Sequence, residues 1–382
     1  MLFKIFSVAA LAASAFGQKL MDLNATLASN NQTSALSGLL AAYPDLVRGL
    51  ESARNVTLLA PSNNAIETLL NSSMGKLLSS DPGLTQAVLT YHVLKGTYEA
   101  SAITNMSTFI PTMLTNTTYT NVTGGQVVEA ITISGNVTFF SGLNMNASVV
   151  QPDVNFTGGV IHVIDNVLTL PVNDSATAAA ANLTSLVGAL GASKLVDTVD
   201  SLRDVTIFAP NNTAFQDIGS ALANLSTNDL ATILEYHVVK GPVGYSSKLK
   251  NGMKLDTVGG KSLTIHIENG TVFVNSAKVV TPDVLVSNGV VHVIDNVLNP
   301  NNTSAAPSSS ATAGSPGFSG ASSVSSAPFT SGVASPTTTV AGGASSAAAS
   351  ASSKSSALGA PMKTGAVGAA ALFGAGAVMV NL

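Results

Sequence analysis

One run of residues occurs twice in this chain: Gly158-Gly159-Val160-Ile161-His162-Val163-Ile164-Asp165-Asn166-Val167-Leu168, and again Asn288-Gly289-Val290-Val291-His292-Val293-Ile294-Asp295-Asn296-Val297-Leu298. Self-similarity of this kind marks a duplicated unit, so whatever one copy folds into, the other must fold into as well. Each run starts at Gly, passes through β-branched residues and ends on Asp-Asn. That is the pattern of a turn feeding a buried strand that stops at a polar turn, with a His in its middle.

The text ahead of each run repeats too. Apolar residues recur at helical spacing at Leu36, Leu39, Leu40, Leu46, Val47 and Leu50, and again at Leu183, Leu186, Val187, Leu190, Leu195, Val196 and Val199. A strand follows in each copy, Val56 to Ala60 and Val205 to Ala209, and runs through Pro61 and Pro210 into a helix start. Asn63 and Asn212 stand there, where an Asn side chain can accept from the first free helical N–H groups, and they are expected as helix caps. A further helix opens at Asp81-Pro82 in the first copy and at the capping-box pattern Ser226-Thr227-Asn228-Asp229 in the second. It ends in Tyr91-His92 and Tyr236-His237. Beyond that point the second copy reads as compact strands and turns, whereas the first is longer and is expected to carry a glycosylated loop excursion.

Both ends read as processing signals. Met1 to Gly17 has one cation, Lys4, then an apolar run and a small-residue cleavage site, which predicts a signal peptide. Ala366 to Val380 is apolar and has no cation beyond it, and it follows a spacer and three small residues, Ser355-Ser356-Ala357. This arrangement predicts GPI attachment at Ser355 and a removed propeptide over 357–382. Residues 301–356 are almost wholly Ser, Ala, Thr, Gly and Pro, with no acidic residue, and are expected to form a disordered stalk. The folded parts are then 18–171 and 172–300.

Only 9% of residues are charged, far below what a soluble surface usually carries. Glycans are the expected replacement, because sequons are dense on a chain routed for secretion. They stand at Asn24, Asn31, Asn55, Asn71, Asn105, Asn116, Asn121, Asn136, Asn146, Asn155, Asn173, Asn182, Asn211, Asn224, Asn269, Asn301 and Asn302. Between Tyr-His and the closing strand the first copy holds six of them and the second only Asn269, so the second copy is expected to be the better contact surface. The net charge of −4 comes with no basic stripe, which speaks against nucleic acid as a partner. There is no Cys, which removes disulfides and thiolate metal sites.

Three ordered motifs, each present twice, resemble the fasciclin (FAS1) domain. Thr206-Ile207-Phe208-Ala209-Pro210-Asn211-Asn212-Thr213-Ala214-Phe215 is similar to the family's first motif, with Leu58-Leu59 and Ile66 in the apolar places of the first copy. The Tyr-His pairs are similar to its middle motif, and the repeated strand to its last; in the first copy Gly158 stands where the second has Asn288. The resemblance covers almost all of Gln18 to Pro300. It implies an α+β fold, a wedge of two small β-sheets with helices on one side, in two copies. It also implies cell adhesion or contact with cell wall, matrix or other surface proteins, often from a GPI anchor, and it makes Tyr91, His92, Tyr236 and His237 a candidate adhesion motif.

The residues give no enzyme. His162 with Asp165, and His292 with Asp295, are three apart on a strand, where such positions face opposite sides, so they are read as structural rather than as acid and base. There is no nucleophile elbow, zinc-helix motif or phosphate loop, and no cofactor is implied. Two readings stay open: an adhesive surface glycoprotein, or a structural and protective coat component without a specific ligand.

Overall fold

The computed structural model describes residues 20–333, apart from 224 and 309. The expected signal peptide, Asn224, Ser355, the propeptide over 357–382 and the stalk beyond 333 lie outside the described residues.

The first copy forms α1 (Leu23–Ser29), α2 (Ser34–Leu40), α3 (Pro44–Ser52), β1 (Val56–Pro61), α4 (Asn63–Leu70), α5 (Ser73–Ser80) and α6 (Pro82–Tyr91). The chain then runs through β2 (Val93–Lys95), β3 (Thr108–Pro111), β4 (Val127–Ile133), β5 (Asn136–Phe140), β6 (Asn146–Phe156) and β7 (Gly159–Ile164). The second copy repeats the plan with α7 (Asp174–Ala180), α8 (Thr184–Ala192), α9 (Val196–Ser201), β8 (Val205–Pro210), α10 (Asn212–Asp217), α11 (Gly219–Leu222) and α12 (Thr227–Glu235). Its strands are β9 (Val238–Lys240), β10 (Lys254–Asp256), β11 (Ser262–Glu268), β12 (Thr271–Val274), β13 (Ala277–Val286) and β14 (Gly289–Ile294).

Each apolar stripe breaks into two helices. In the first copy Pro44 opens α3 and drives Tyr43 out of the helical region, to φ −125° and ψ 64°. In the second, Lys194 turns left-handed at φ 58° between α8 and α9. Helix starts are capped by short polar side chains, among them Asp22, Ser62, Ser72, Asp81 and Asn211, and Ser226 with Asp229 closes a reciprocal capping box.

Seven strands form one sheet per copy, in the order β2-β1-β7-β6-β5-β4-β3 and β10-β11-β12-β13-β14-β8-β9. The long β6 joins two halves: Val149 to Phe156 pair with β7, and Asn146 to Ser148 pair with β5. A single bridge from Leu94 to Thr112 brings the outer edges together, and Val239 to Thr257 does the same in the second copy, so each sheet nearly closes. The repeated strands β7 and β14 are interior, antiparallel to the long β6 and β13 on one side and parallel to β1 and β8 on the other. Their opening glycines are fixed by that approach, since a Cβ on Gly159 or Gly289 would lie 1.9 Å from the carbonyl oxygen of Val56 or Val205.

Two expectations change. The extra length of the first copy is not a free excursion: residues 112–126 fold over onto the second domain. There Asn121 N–H donates to Ser287 O at 2.7 Å, Thr123 N–H to Asp204 Oδ1 at 2.7 Å and Gln126 Nε2 to Val286 O at 3.0 Å. Phe109 stacks on Tyr245 at 4.2 Å beside Val122, Val127, Leu285 and Val290, which close an apolar seam between the domains. The stalk is also corrected over its first part, because residues 312–329 lie along the second domain, where Phe318, Ala321 and Phe329 pack on its core. Composition missed this because a few spaced apolar residues suffice when a ready groove receives them.

Candidate functional site

The candidate adhesion motif is interior. Tyr91 and Tyr236 are fully buried, and His92 and His237 nearly so, so no partner reaches them in the folded domain. Tyr91 Oη donates to Val127 O at 2.9 Å, and Tyr236 Oη to Ser262 O at 3.2 Å. Each ring spans two segments. His92 Nδ1 donates to Val88 O at 2.7 Å in α6, while Nε2 accepts Leu168 N–H at 2.9 Å beyond β7; His237 does the same with Ile233 O and Leu298 N–H, at 2.7 and 2.9 Å. These partners assign the tautomer: one nitrogen must donate and the other accept, which only the neutral ring can do. Burial holds both pKa values down to about 4, against a smaller upward pull from the helix carbonyl.

The histidines of the repeated strand use the opposite tautomer. His162 Nε2 donates to Tyr98 O at 2.7 Å and Nδ1 accepts Asp153 N–H at 3.2 Å; for His292 the partners are Gly244 O at 2.8 Å and Asp283 N–H at 3.2 Å. Both rings are fully buried. The nearest carboxylate is therefore not Asp165 or Asp295 but Asp153 or Asp283, which sit in a bulge of β6 or β13 with φ 58° and 60°. Their Oδ1 atoms accept the backbone N–H of Ala100 and Ser246, both at 2.8 Å. Reading the sequence for chemistry missed this pair, although Pro152-Asp153-Val154 and Pro282-Asp283-Val284 repeat in register and carry the signal. Asp165 and Asp295 serve the strand end, accepting Ser148 N–H at 2.7 Å and Lys278 N–H at 2.8 Å.

Asn63 and Asn212 are not the caps of their own helices; Ser62 and Asn211 are. The longer reach of a residue one place further on takes them to a neighbouring helix. Asn63 Oδ1 accepts Ala35 N–H at 2.9 Å and its Nδ2 donates to Asn31 O at 2.8 Å, while Asn212 accepts Ser185 N–H at 3.0 Å and donates to Asn182 O at 2.9 Å. The N-termini of α2 and α8, whose own flanking residues make no side-chain cap, are thus capped from across the fold.

One polar pair belongs to the second copy alone. Asp174 is buried and accepts Asn288 Nδ2 at 2.8 Å, leaving Asp174 Oδ1 and Asn288 Oδ1 without a partner. Burial raises its pKa to about 8, with Asp200 adding to the rise and the Asn288 hydrogen bond opposing it. At the seam, burial lifts Glu129 to about 7, with Asp283 adding to it against a hydrogen bond from Ser107.

The outer surface tells a different story. The Asn side chains of the sequons at Asn24, Asn31, Asn55, Asn71, Asn105, Asn116, Asn136, Asn146, Asn155, Asn173, Asn182 and Asn269 are all exposed, and Asn121 is half-buried at the seam. Among the described residues no group of three or more His, Cys, Asp or Glu side chains could hold a metal, and no helix is long and apolar enough to cross a membrane.

Comparison with known proteins matches the sequence to one family. The fasciclin domain model matches residues 31–171 and 181–300. A fasciclin-like arabinogalactan protein of Arthroderma benhamiae is 41% identical over 309 residues, which cover 80% of this chain and 73% of that protein. The fasciclin-like arabinogalactan protein elcF of Phaeosphaeria nodorum is 32% identical over 283 residues, 72% of this chain and 88% of the relative. A solved FAS1 domain pair from the insect cell adhesion molecule fasciclin I aligns over 71% of this chain and 98% of its own at 21% identity, with a TM-score of 0.35.

Proposed function

The chain belongs to the fasciclin family, and we propose that it is an adhesive glycoprotein of the cell surface, held to the outer leaflet by a GPI lipid added at Ser355. Its two domains contact cell-wall or matrix components or other surface proteins. The observation that carries this reading is the division between inside and outside. The repeated Tyr, His and Asp residues are consumed by backbone hydrogen bonds, whereas the exposed positions repeat in composition as Asn-x-Ser/Thr. The repeats therefore maintain a scaffold, and what the scaffold presents is a glycosylated surface. Contacts made by such a surface are weak singly and gain strength from many copies in one membrane. The names of the fungal relatives, fasciclin-like arabinogalactan proteins, and the apolar run over 366–380 support the same reading.

Two assays test it. Phosphatidylinositol-specific phospholipase applied to intact cells releases the protein into the medium, and the released protein is retained on wall fragments or coated beads. Recovery of an intact 366–382 peptide from the cell-bound protein would overturn the anchor. Release without retention on any wall or cell preparation would make the protein a coat component instead.

A further inference from the structure

In the second domain, the groove between α8 and α10 is filled by the chain's own residues 318–329. The ring of Phe329 meets Phe215 edge-on at 6.3 Å. Its carbonyl crosses α8 so closely that a Cβ on Gly188 would lie 1.7 Å from the oxygen. Val324 occupies the space beside Gly219 and donates its N–H to Gln216 O at 3.0 Å, while Ser220 N–H donates to Ser322 O at 3.1 Å and Ser322 N–H to Ser220 Oγ at 2.7 Å. In this domain the cavity lined by Leu186, Leu190 and Leu234 measures about 20 Å³.

The first domain has the same groove, between α2 and α4, and among the described residues no segment crosses it. Leu36, Leu39, Ile66 and Leu69 line an open apolar cavity of about 370 Å³. Gly38 stands on its rim as Gly188 does in the second copy: α2 and α8 are set alike by Asn63 and Asn212, and Gly38 lies three residues on from the lining residue Ala35, on the same face of α2. A glycine inside a helix weakens it, and is kept where a backbone must come close. Gly188 has that reason within the molecule; Gly38 has none, since a Cβ there would meet nothing within 4 Å. The lining carries no charged side chain, and neither does the segment 318–329.

We propose that the open groove of the first domain receives the 318–329 segment of a second copy once that segment leaves its own second-domain groove, with the chain crossing Gly38 and Phe329 entering between α2 and α4. The fit differs from the intramolecular one where Leu70 and Asn71 replace Gly219 and Ser220, and the exposed Leu70 side chain takes the place of Val324. Phe329 and the backbone at Gly38 are therefore the anchors, and a glycan on Asn71 stands at the mouth. The first domain, where the sequons are denser, becomes the receiving half of a contact between copies. This does not depend on how the chain is anchored.

The test uses a fluorescent synthetic peptide of residues 314–333 titrated into the purified full-length protein. The expected result is saturable binding that a Phe329→Ser peptide loses. Gly38→Ala in the protein weakens binding about tenfold or more by overfilling the crossing point, while its melting temperature stays level or rises because Ala favours the helix. Gly188→Ala, which disturbs only the second-domain groove, leaves peptide binding in place. Absence of saturable binding, or equal binding by Gly38→Ala, would overturn the proposal. So would a fluorescent fatty acid that fills the groove and that the peptide does not displace, which would make this a lipid site.

Discussion

Replacing Asp174 by Asn should make the second domain more stable at neutral pH and leave it unchanged in acid. The carboxyl is buried against Asn288, and its pKa is raised from 3.8 to about 8. Because the folded value lies above the unfolded one, the stabilising contribution is complete below pH 3.8 and is lost as the pH rises through about 8. Each pKa unit is worth about 1.4 kcal/mol, so by pH 7 the folded state has given up roughly 4 kcal/mol relative to a group that does not titrate. An Asn side chain keeps the acceptor for Asn288 Nδ2 and offers at every pH the kind of donor that the carboxyl offers only while protonated. The first copy avoids the problem with Leu23 and Gly158 in the two places. Urea unfolding of wild type and Asp174→Asn at pH 4 and pH 7.5, following the second-domain transition, measures the difference. A gain of a few kcal/mol at pH 7.5 with none at pH 4 is expected; equal effects at both values, or a loss at pH 7.5, would refute the reasoning.

Three further outcomes follow from the same geometry. His92 and His237, lowered to about 4, stabilise the fold only while neutral, so their contribution is present above the unfolded value of 6.5 and is lost as the pH falls through about 4. Each is worth about 3 kcal/mol, and thermal melts should drop between pH 6.5 and 4, less steeply in His237→Asn for the second domain. Asn63→Ala and Asn212→Ala each remove a helix cap supplied from across the fold and should cost about 1 kcal/mol, read from denaturant midpoints, while Asn64→Ala, with no such contact, should cost much less. Tyr91→Phe leaves Val127 O without its phenol donor and should cost on the order of 1 kcal/mol with no effect on cell or bead aggregation.

The local text of the chain foretold much of this architecture. Strand, Pro and capped helix could be read at Val56 to Ala65 because each depends on neighbours in sequence, and the Ser226 to Asp229 capping box is a contact over three residues. What required distance was hidden. The parallel pairing of β1 with β7 joins residues far apart in the chain, and nothing in Val56 to Ala60 names its partner. Asn63 reads as a cap because Asn commonly caps its own helix, and only the approach of α2 turns it to Ala35. The tail from 312 to 329 has too few apolar residues to fold by itself, so composition marks it as a free stalk, and its order comes from a groove made by other residues. As for the candidate site, Tyr91-His92 is visible as a motif, but whether a helix-end Tyr faces out or in is decided by packing against Val127, which lies on a distant strand.

The repeated histidines hold each domain together from within and do not touch a partner. The direct measurement is a paired one on His292→Ala: the melting temperature of the second domain, and bead aggregation per folded molecule below that temperature. Truncation leaves Gly244 O and Asp283 N–H buried without the ring, at a cost of about 1–3 kcal/mol. A lower melting temperature with aggregation unchanged is expected. Loss of aggregation at an unchanged melting temperature would contradict it.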